Sequence, residues 1–349
     1  MKTVAICKSL LSRHKMNDAI AIPSWNEWLD EHGIPWEYID CYDSDIISKL
    51  PNYSGLIWHY ENYSNADLME AQNILDIAAS MGLRVYPDHN TAWHFDDKIA
   101  EMYALQAVGA PIPKSWVFYE LETCLKWLEN ECKYPIVAKL RRGSGSNNVK
   151  LLKNYSEAKK YAKRMFGEGV SPAQSIVYKT FSKVQSTRDW KTFVNRFKKI
   201  PDFLWSRKFG KGLPDERGYC YFQQYIPNNN FDIKVAVVNG KCSFFTRHTR
   251  KADFRASGSG DFFYDKELLT KNIVRSALET AEKLGVQCIG FDFVVHKKTK
   301  KGYIIEMCHG FDVDAVYDCG GYWDRNLEWH NEPLNVRYEI MERLFGSQQ

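Results

Sequence analysis

The chain has 349 residues, 44% of them hydrophobic, so it can bury a substantial core and is long enough for two or three domains. Its 47 basic and 43 acidic side chains leave a net charge of +4, which is too balanced to indicate a nucleic-acid or membrane partner. The 9 cysteines form no CxxC pair and have no histidine at zinc spacing, which indicates reduced thiols. With no signal-peptide pattern and no segment of membrane-spanning length, we expect a cytoplasmic protein.

The first 92 residues alternate short apolar strands with amphipathic helices. TVAIC, PWEYIDCY and SGLIWHY have the β-branched and aromatic composition of strands. One helix is predicted to begin at a capping box of Ser24 and Glu27, and another to be capped by Asn65 and to end at Gly82. This alternation predicts a small parallel α/β domain. The segment contains neither GxGxxG nor a P-loop, so no dinucleotide or Walker-type site is indicated.

The next predicted helix places a lysine in an unusual position. Asp96 or Asp97 can cap a helix that runs to Gly109, after which two prolines forbid its continuation. Lys98 therefore lies in the first turn, where a positive charge opposes the helix dipole. This position indicates a partner from outside the helix, and a solvated lysine is the alternative.

A lysine-bearing strand and a glycine-serine turn follow. Lys139 lies on the predicted strand Ile136 to Leu140, and the turn GSGS leads into a second strand. Backbone N–H groups in such a turn can point at one anion, and the lysine adds a point charge. An ordinary β-turn is the alternative. Ser156 is then predicted to cap a helix, and residues 170 to 220 are interpreted as the remainder of a mobile lid with an insertion.

Three arginines follow the predicted strands YFQQYI, DIKVAVV and FFTRHTR. Arg247, Arg250 and Arg255 precede a second Gly/Ser loop, SGSG. Arginines beside phosphate-binding loops can hold a polyphosphate and an anionic substrate, although an arginine at a strand end is often only solvated. Asp265 is predicted to cap the next helix, which runs to Leu284.

Two short apolar runs, IGFDFVV and YIIEMC, each carry one acid and are separated only by HKKTKKG. If they pair as a hairpin centred near Thr299, Asp292 faces Glu306. Facing carboxylates repel each other, and half-buried ones are costly unless a cation neutralises them, a role that suits Mg²⁺. The alternative is a surface hairpin with solvated acids, and a β-bulge would break the facing geometry. The tail CGGYWDRNLEWH is expected to close over the same end.

The order of these motifs resembles the ATP-grasp superfamily over essentially the whole chain. The motifs are DK on a helix ending GAPIP, PIVAK with a Gly/Ser loop, QQYI, R…DFR, and GFDFV…YIIEM. The sequence is most similar to the carboxylate-amine ligases, a group that includes D-alanyl-D-alanine ligases and ribosomal-protein glutamate ligases. DFRASGSG and GYWDRNLEWH also resemble a branch associated with bacterial surface-glycan gene clusters.

The resemblance implies a role for each matching residue. Lys98 and Lys139 contact the ATP phosphates, and the loop from Gly143 forms the phosphate lid. Gln223 lies at the adenine hinge. The residues assigned to ATP are Lys98, Lys139, Gly143, Ser144, Gly145, Ser146, Gln223, Gln224, Tyr225, Ile226 and Asp232. Those assigned to catalysis are Arg247 and Arg255, and those assigned to magnesium are Asp292 and Glu306.

One departure from the family concerns the metal site, where such ligases often have Glu-x-Asn. Here Glu306 is followed by Met307 and Cys308, which leaves the third ligand open. Asp312, Asp314 or His309 can complete the site or bind an amine, and Cys308 can equally be a buried structural residue.

The fold class that the resemblance implies is α/β (α+β), an ATP-grasp fold. It divides the chain into a Rossmann-like N-terminal domain (1–92), a linker helix and lid subdomain (93–222) and a C-terminal subdomain with the metal site (223–349). The implied reaction is ATP- and Mg²⁺-dependent amide formation through an acyl phosphate. The expected partners are a small-molecule acid and amine, among them a sugar acid or nucleotide sugar, and a second copy of the chain. The alternatives are a kinase of the same fold and a non-catalytic ATP-binding regulator.

Overall fold

The computed structural model describes residues 2–8, 22–60, 64–143, 149–171, 215–227, 230–249 and 262–346. Three sheets organise this part of the chain. The three sheets lie in successive segments of the chain. The subdomain boundary that was expected between residues 222 and 223 falls inside a strand of the middle sheet. Within the described ranges, no helix is both long enough and apolar enough to cross a membrane.

The N-terminal sheet is parallel, with the order β2-β1-β3-β4. The elements are β1 (Thr3–Lys8), α1 (Ile22–Glu31), β2 (Trp36–Ile39), α2 (Ile46–Lys49), β3 (Tyr53–His59), α3 (Asn65–Ser80), β4 (Arg84–Tyr86) and α4 (His89–Ala92). The continuous burial of Val4, Ala5 and Ile6 explains the apolar run of β1, because helices cover both faces of a parallel sheet. The predicted parallel α/β architecture is confirmed.

Two predicted helix starts in this segment are wrong. Helix α1 begins at Ile22, so Ser24 lies inside the helix and is not its cap. The cap of α3 is Ser64, one residue before the predicted Asn65, because the Ser64 Oγ accepts a hydrogen bond from Asp67 N at 3.2 Å. Serine and asparagine are both favoured caps, so the sequence alone does not decide which of these two neighbours caps the helix.

The middle sheet is antiparallel, with the order β5-β8-β6-β7. The elements are α5 (Lys98–Ala107), β5 (Ser115–Phe118), α6 (Leu121–Asn130), β6 (Ile136–Lys139), β7 (Val149–Leu152), α7 (Tyr155–Phe166) and β8 (Cys220–Gln224). Helices α6 and α7 cover one face through Leu128 and Ala162, both fully buried. The cap of α7 is Asn154, whose side chain accepts from Glu157 N at 3.0 Å, so the prediction of Ser156 is wrong.

The C-terminal sheet has the order β13-β12-β9-β10-β14-β15, with β11 also pairing to β10. The elements are β9 (Phe231–Val238), β10 (Lys241–His248), β11 (Phe262–Phe263), α8 (Lys271–Leu284), β12 (Cys288–Val295), β13 (Gly302–Cys308), α9 (Val313–Tyr317), β14 (Tyr322–Trp323), β15 (Trp329–His330) and α10 (Val336–Phe345). Helix α8 packs on this sheet, where each large apolar side chain contributes about 1.5–3 kcal/mol by burial. Its cap is Thr270, because Asp265 instead caps a separate 3-10 turn, Lys266–Leu268.

The aromatic tail does not lie where the sequence analysis placed it. Trp323 of β14 pairs with Cys242 at the start of β10, whereas Arg247 lies at the end of that strand. Strands β9 and β10 separate β14 from the strand of Asp292, so the β14-β15 hairpin lies about 14 Å from β12 across the sheet, away from the acids. Tyr322 and Trp323 are buried, which makes them part of the core. The expectation that this tail closes over the carboxylates is therefore wrong.

Candidate active site

The two acids of the C-terminal hairpin face each other as predicted. Asp292 of β12 pairs directly with Glu306 of β13, and the expected register continues to the end of the hairpin at Cys308. A bulge follows immediately on the other side, since Phe293 pairs with Ile304 instead of Ile305. The bulge therefore leaves the acidic pair in place and takes Ile305 out of the register between β12 and β13.

Strand β13 is an edge strand, and its outer backbone groups are bonded by the middle segment. The Ile305 carbonyl accepts from Lys139 Nζ at 2.7 Å. Ile304 N donates to Pro111 O at 2.8 Å, and Met307 N donates to a Glu101 carboxylate oxygen at 3.1 Å. These bonds connect β13, the strand that carries Glu306, to the middle sheet and to helix α5.

Lys98 has the outside partner that its position predicted. The Asp97 side chain caps α5 by accepting from Ile99 N and Ala100 N, so Lys98 is the first helical residue. Its Nζ lies 3.2 Å from Glu306 Oε1 and donates to Gly143 O at 2.7 Å. Burial alone lowers the pKa of Lys98, but Glu306 and Glu101 outweigh it and raise the pKa above its usual value. The alternative of a solvated lysine is wrong.

Lys139 and Glu101 are buried ionisable groups beside this pair. Burial lowers the pKa of Lys139 to about 8, although Glu306 opposes the shift. Burial, and next the charge of Glu306, raise the pKa of Glu101 to about 8. The sequence analysis did not select Glu101. Its spacing of three residues from Lys98 places both side chains on one face of α5, which is the signal that could have found it.

A second buried set of charges surrounds Asp292. Lys234 Nζ lies 2.5 Å from Asp292 Oδ1, and an Arg247 guanidinium nitrogen lies 3.0 Å from the same oxygen. Arg247 also donates two hydrogen bonds of 2.8 Å to the two carboxylate oxygens of Asp232. Burial raises the pKa of Asp232 to about 6, whereas Arg247 and Lys234 outweigh burial at Asp292 and lower its pKa.

These contacts correct one step of the sequence argument. The facing acids do not depend on an external cation for neutralisation, because Lys98 pairs with Glu306 and Lys234 pairs with Asp292. Lys234 was missed because a lysine inside the run DIKVAVV fits a half-exposed strand. The alternation of Asp232 and Lys234 on one face is the signal that could have found it.

The predicted adenine hinge lies at the end of β8. Gln223 is buried, and its Nε2 donates weak hydrogen bonds to Tyr221 OH at 3.3 Å and Ser115 Oγ at 3.4 Å. Gln224 is exposed, and its N–H donates to Lys114 O at 2.8 Å, so that N–H is not free to read a base. Tyr225 is half-buried, and Ile226 is buried.

A small cavity of about 10 Å³, room for about one water molecule, lies between Gln223, Lys98 and Glu306. Gly143 adjoins it through the bond to Lys98 and has φ +110°, a conformation that favours glycine. The Gly143 N–H donates to Asp96 at 3.1 Å. The predicted residues Ser144, Gly145, Ser146 and Arg255 lie outside the described residues.

Comparisons with known proteins support the fold. No protein-family model and no curated protein matches the chain. The structure is similar to a D-alanine–D-alanine ligase from Bacillus anthracis in complex with ATP, with a TM-score of 0.55, 13% identity, and 98% and 96% of the two chains covered. It is also similar to an ATP-grasp RimK-domain protein from Sphaerobacter thermophilus, with a TM-score of 0.54, 13% identity, and 98% and 100% covered. The chain has the ATP-grasp fold.

A third similar structure is an L-amino acid ligase from Bacillus licheniformis, with a TM-score of 0.52 and 14% identity over 91% of this chain and 71% of that one. At these identities the likeness concerns the fold alone. The expected fold class is thereby confirmed, and the assignment of individual residues to ATP stays a prediction.

The facing carboxylates fit a hard divalent cation. Mg²⁺ takes oxygen ligands, commonly one or two carboxylates together with substrate phosphates. Asp292 and Glu306 present two carboxylates on one face of the sheet. In the described ranges, no group of three His, Cys, Asp or Glu side chains is placed to hold a metal ion. Phosphate oxygens and water are the ligands that commonly complete such a magnesium site.

The candidates for a third protein ligand have other roles. The Cys308 thiol donates to Gly310 O at 3.3 Å and accepts from Gly310 N at 3.2 Å. Burial raises the pKa of Cys308 to about 12, so the thiol stays neutral and is a poor ligand for magnesium.

The other three candidates are also engaged. Asp312 caps α9 by accepting from Ala315 N at 3.0 Å, and Asp314 accepts from Arg337 at 3.1 Å. His309 is buried among aromatic rings, and burial lowers its pKa to about 3. None of the three is grouped with the acidic pair as a metal cluster within the described part of the chain.

Proposed function

We propose that the chain is an ATP-dependent carboxylate-amine ligase that binds Mg-ATP between the middle sheet and the C-terminal sheet. The observation that carries this proposal is the meeting of Lys98, Lys139 and the facing acids Asp292 and Glu306, in an ATP-grasp fold, where the middle segment contacts β13. The similarity to three ligase-related structures supports the reaction class.

The charge balance of the site suits a nucleotide. The charged groups around the facing acids are four bases and four acids, all buried except the half-buried Glu306: Lys98, Lys139, Lys234, Arg247, Glu101, Asp232, Asp292 and Glu306. This set is neutral when all groups are ionised. Phosphoryl transfer depends mainly on positioning and charge stabilisation, so the triphosphate must recruit positive charge from these bases.

The lysines can supply that charge by exchanging partners. Lys98 now bonds Glu306 and Gly143 O, and Lys139 bonds Ile305 O. Phosphate oxygens would replace these acceptors, and charged acceptors make the stronger bonds. Magnesium, when bound by Asp292 and Glu306, would release Lys98 from Glu306 and add its own charge stabilisation.

The proposed reaction has two steps. An oxygen of the substrate carboxylate bonds to the γ-phosphorus while the bond from that phosphorus to the bridging oxygen breaks, and ADP leaves with the electron pair. The amine nitrogen then bonds to the acyl carbon, the acyl–oxygen bond breaks, phosphate leaves, and the nitrogen loses a proton. Water competes with both substrates, so the site must be closed during turnover.

Titration calorimetry with a non-hydrolysable ATP analogue and Mg²⁺ tests nucleotide binding. Lys139→Ala should weaken binding at least tenfold, because the variant removes a buried charge beside Glu306. Lys150→Ala is the matched control, since Lys150 lies on the adjoining strand β7 and is exposed. Absence of binding at millimolar analogue in the wild type would refute the proposal.

The acid and the amine remain predictions. A screen of nucleotide sugars and sugar acids with each amino acid, coupled to ADP and phosphate release, tests the surface-glycan assignment. Tyr322 and Trp323 of the aromatic tail are buried in the core and give that assignment no support. A stable phosphorylated product without free phosphate would identify a kinase instead.

A further inference from the structure

Lys234 continues the acidic pair into a row of three charged residues across three strands. Asp292 pairs with Glu306 on one side and with Lys234 of β9 on the other, so the three side chains share one face of the sheet. Lys234 is 6% exposed, and its Nζ lies 2.5 Å from Asp292 Oδ1. A buried ammonium is costly unless it is paired, so this row is a built feature of the sheet.

The neighbouring backbone leaves space for this lysine. A Cβ at Gly290 would lie 3.1 Å from Lys234 Cδ and 2.8 Å from a ring carbon of Phe311. Glycine at this position therefore allows the Lys234 stem and the Phe311 ring to lie against the strand. The ammonium is held beside Asp292 by packing as well as by charge.

This arrangement limits how many metal ions the acids can take. Sites for phosphoryl transfer often hold two ions about 3.5–4 Å apart. Here Asp292 Oδ1 already contacts both Lys234 and Arg247, and no third His, Cys, Asp or Glu joins the acidic pair among the described residues. Two protein cations thus stand on the Asp292 side of the pair, where a second ion would need ligands.

We propose that Lys234 is a fixed cation that takes the place of a second divalent ion, so that the site loads one ion, held by Glu306, the remaining oxygen of Asp292 and the ATP phosphates. This inference rests on the proposed function. The permanent charge of Lys234 would share the neutralisation of the triphosphate with Lys98 and Lys139.

Electron paramagnetic resonance of Mn²⁺ counts the bound ions directly. We expect one Mn²⁺ per chain for the wild type saturated with AMP-PNP. Lys234→Met should bind two, because Asp292 Oδ1 then loses its 2.5 Å pair with the ammonium and keeps only the 3.0 Å contact with Arg247, and Lys234→Arg should return the count to one. Lys241→Met is the matched control and should bind one, since Lys241 makes an ion pair of the same 2.5 Å length with Glu339, away from the acids.

The outcomes separate this inference from the proposed function. Two Mn²⁺ in the wild-type nucleotide complex would overturn the inference alone, and so would an unchanged count of one in Lys234→Met. A wild type that binds no AMP-PNP by calorimetry would overturn both. If Lys234→Met does not fold, the counts for the wild type and Lys234→Arg decide.

Discussion

The pKa of Lys139 makes nucleotide binding dependent on pH above neutrality. Lys139 is 4% exposed, and burial lowers its pKa to about 8. A lysine is charged below its pKa, and a triphosphate favours the charged form. Affinity should therefore fall as the pH rises through 8. If the bound triphosphate returns the pKa to about 10.5, the dissociation constant should increase about fivefold between pH 8 and pH 9.

The same argument predicts how many protons binding takes up. Free Lys139 is about half protonated at pH 8 and about one-tenth protonated at pH 9, so uptake per nucleotide should rise from about 0.5 to about 0.9 proton. Titration calorimetry in two buffers of different ionisation enthalpy measures this quantity at each pH. Glu101, whose pKa is also raised to about 8, can contribute to it.

Two variants assign the effect to its source. Lys139→Met should bind more weakly and should lose most of the pH dependence, whereas Glu101→Gln should keep the part due to Lys139. Lys150→Met, a change on the exposed side of the neighbouring strand, should behave as the wild type does. A wild-type affinity that is equal at pH 8 and pH 9, with no proton uptake, would refute the reasoning.

Three further predictions concern the buried charges. Glu101→Gln should raise the melting temperature at pH 8 but not at pH 4. The folded-state pKa of Glu101 is raised to about 8, so the carboxyl destabilises the fold progressively as the pH rises from its unfolded pKa near 4.5. Asp292→Asn and Glu306→Gln should abolish ADP release while far-ultraviolet circular dichroism shows a folded chain; both should melt lower without metal, because they remove the ion-pair partners of the buried Lys234 and Lys98. Gly290→Ala should cost about 1–3 kcal/mol in urea unfolding by displacing Lys234, and an unchanged midpoint would contradict this packing.

Features set by local pattern could be predicted from the sequence. The facing of Asp292 and Glu306 followed from two strands joined by a short loop, since the loop of a hairpin determines which residues of its two strands pair. The partner of Lys98 followed from the helix dipole. A bulge was considered only as a feature that would break this facing, and its position at Ile305, beside the contacts of Lys139 and Pro111 with β13, involves distant segments that the sequence of the hairpin does not specify.

Features set by distant pairing could not be predicted. Lys234 lies beside Asp292 because β9 is the neighbour of β12, which the local sequence of neither strand specifies. The protein cations that neutralise the acids could therefore not be predicted from the sequence. The placement of Trp323 at the start of β10 likewise depends on a pairing between distant strands. Helix caps failed by one or two residues where neighbours such as Ser64 and Asn65 are both good caps, and the cap of α8 failed by five residues because Asp265 caps a separate 3-10 turn.

Oxygen-18 transfer tests the central proposal, acid activation by ATP, most directly. An acid that supports ADP release in the substrate screen is labelled in both carboxylate oxygens and incubated with ATP, the amine and the protein. The proposed mechanism predicts that the released phosphate carries one oxygen-18, because the carboxylate oxygen that bonds to the γ-phosphorus leaves with it. Unlabelled phosphate formed together with the amide would contradict the mechanism.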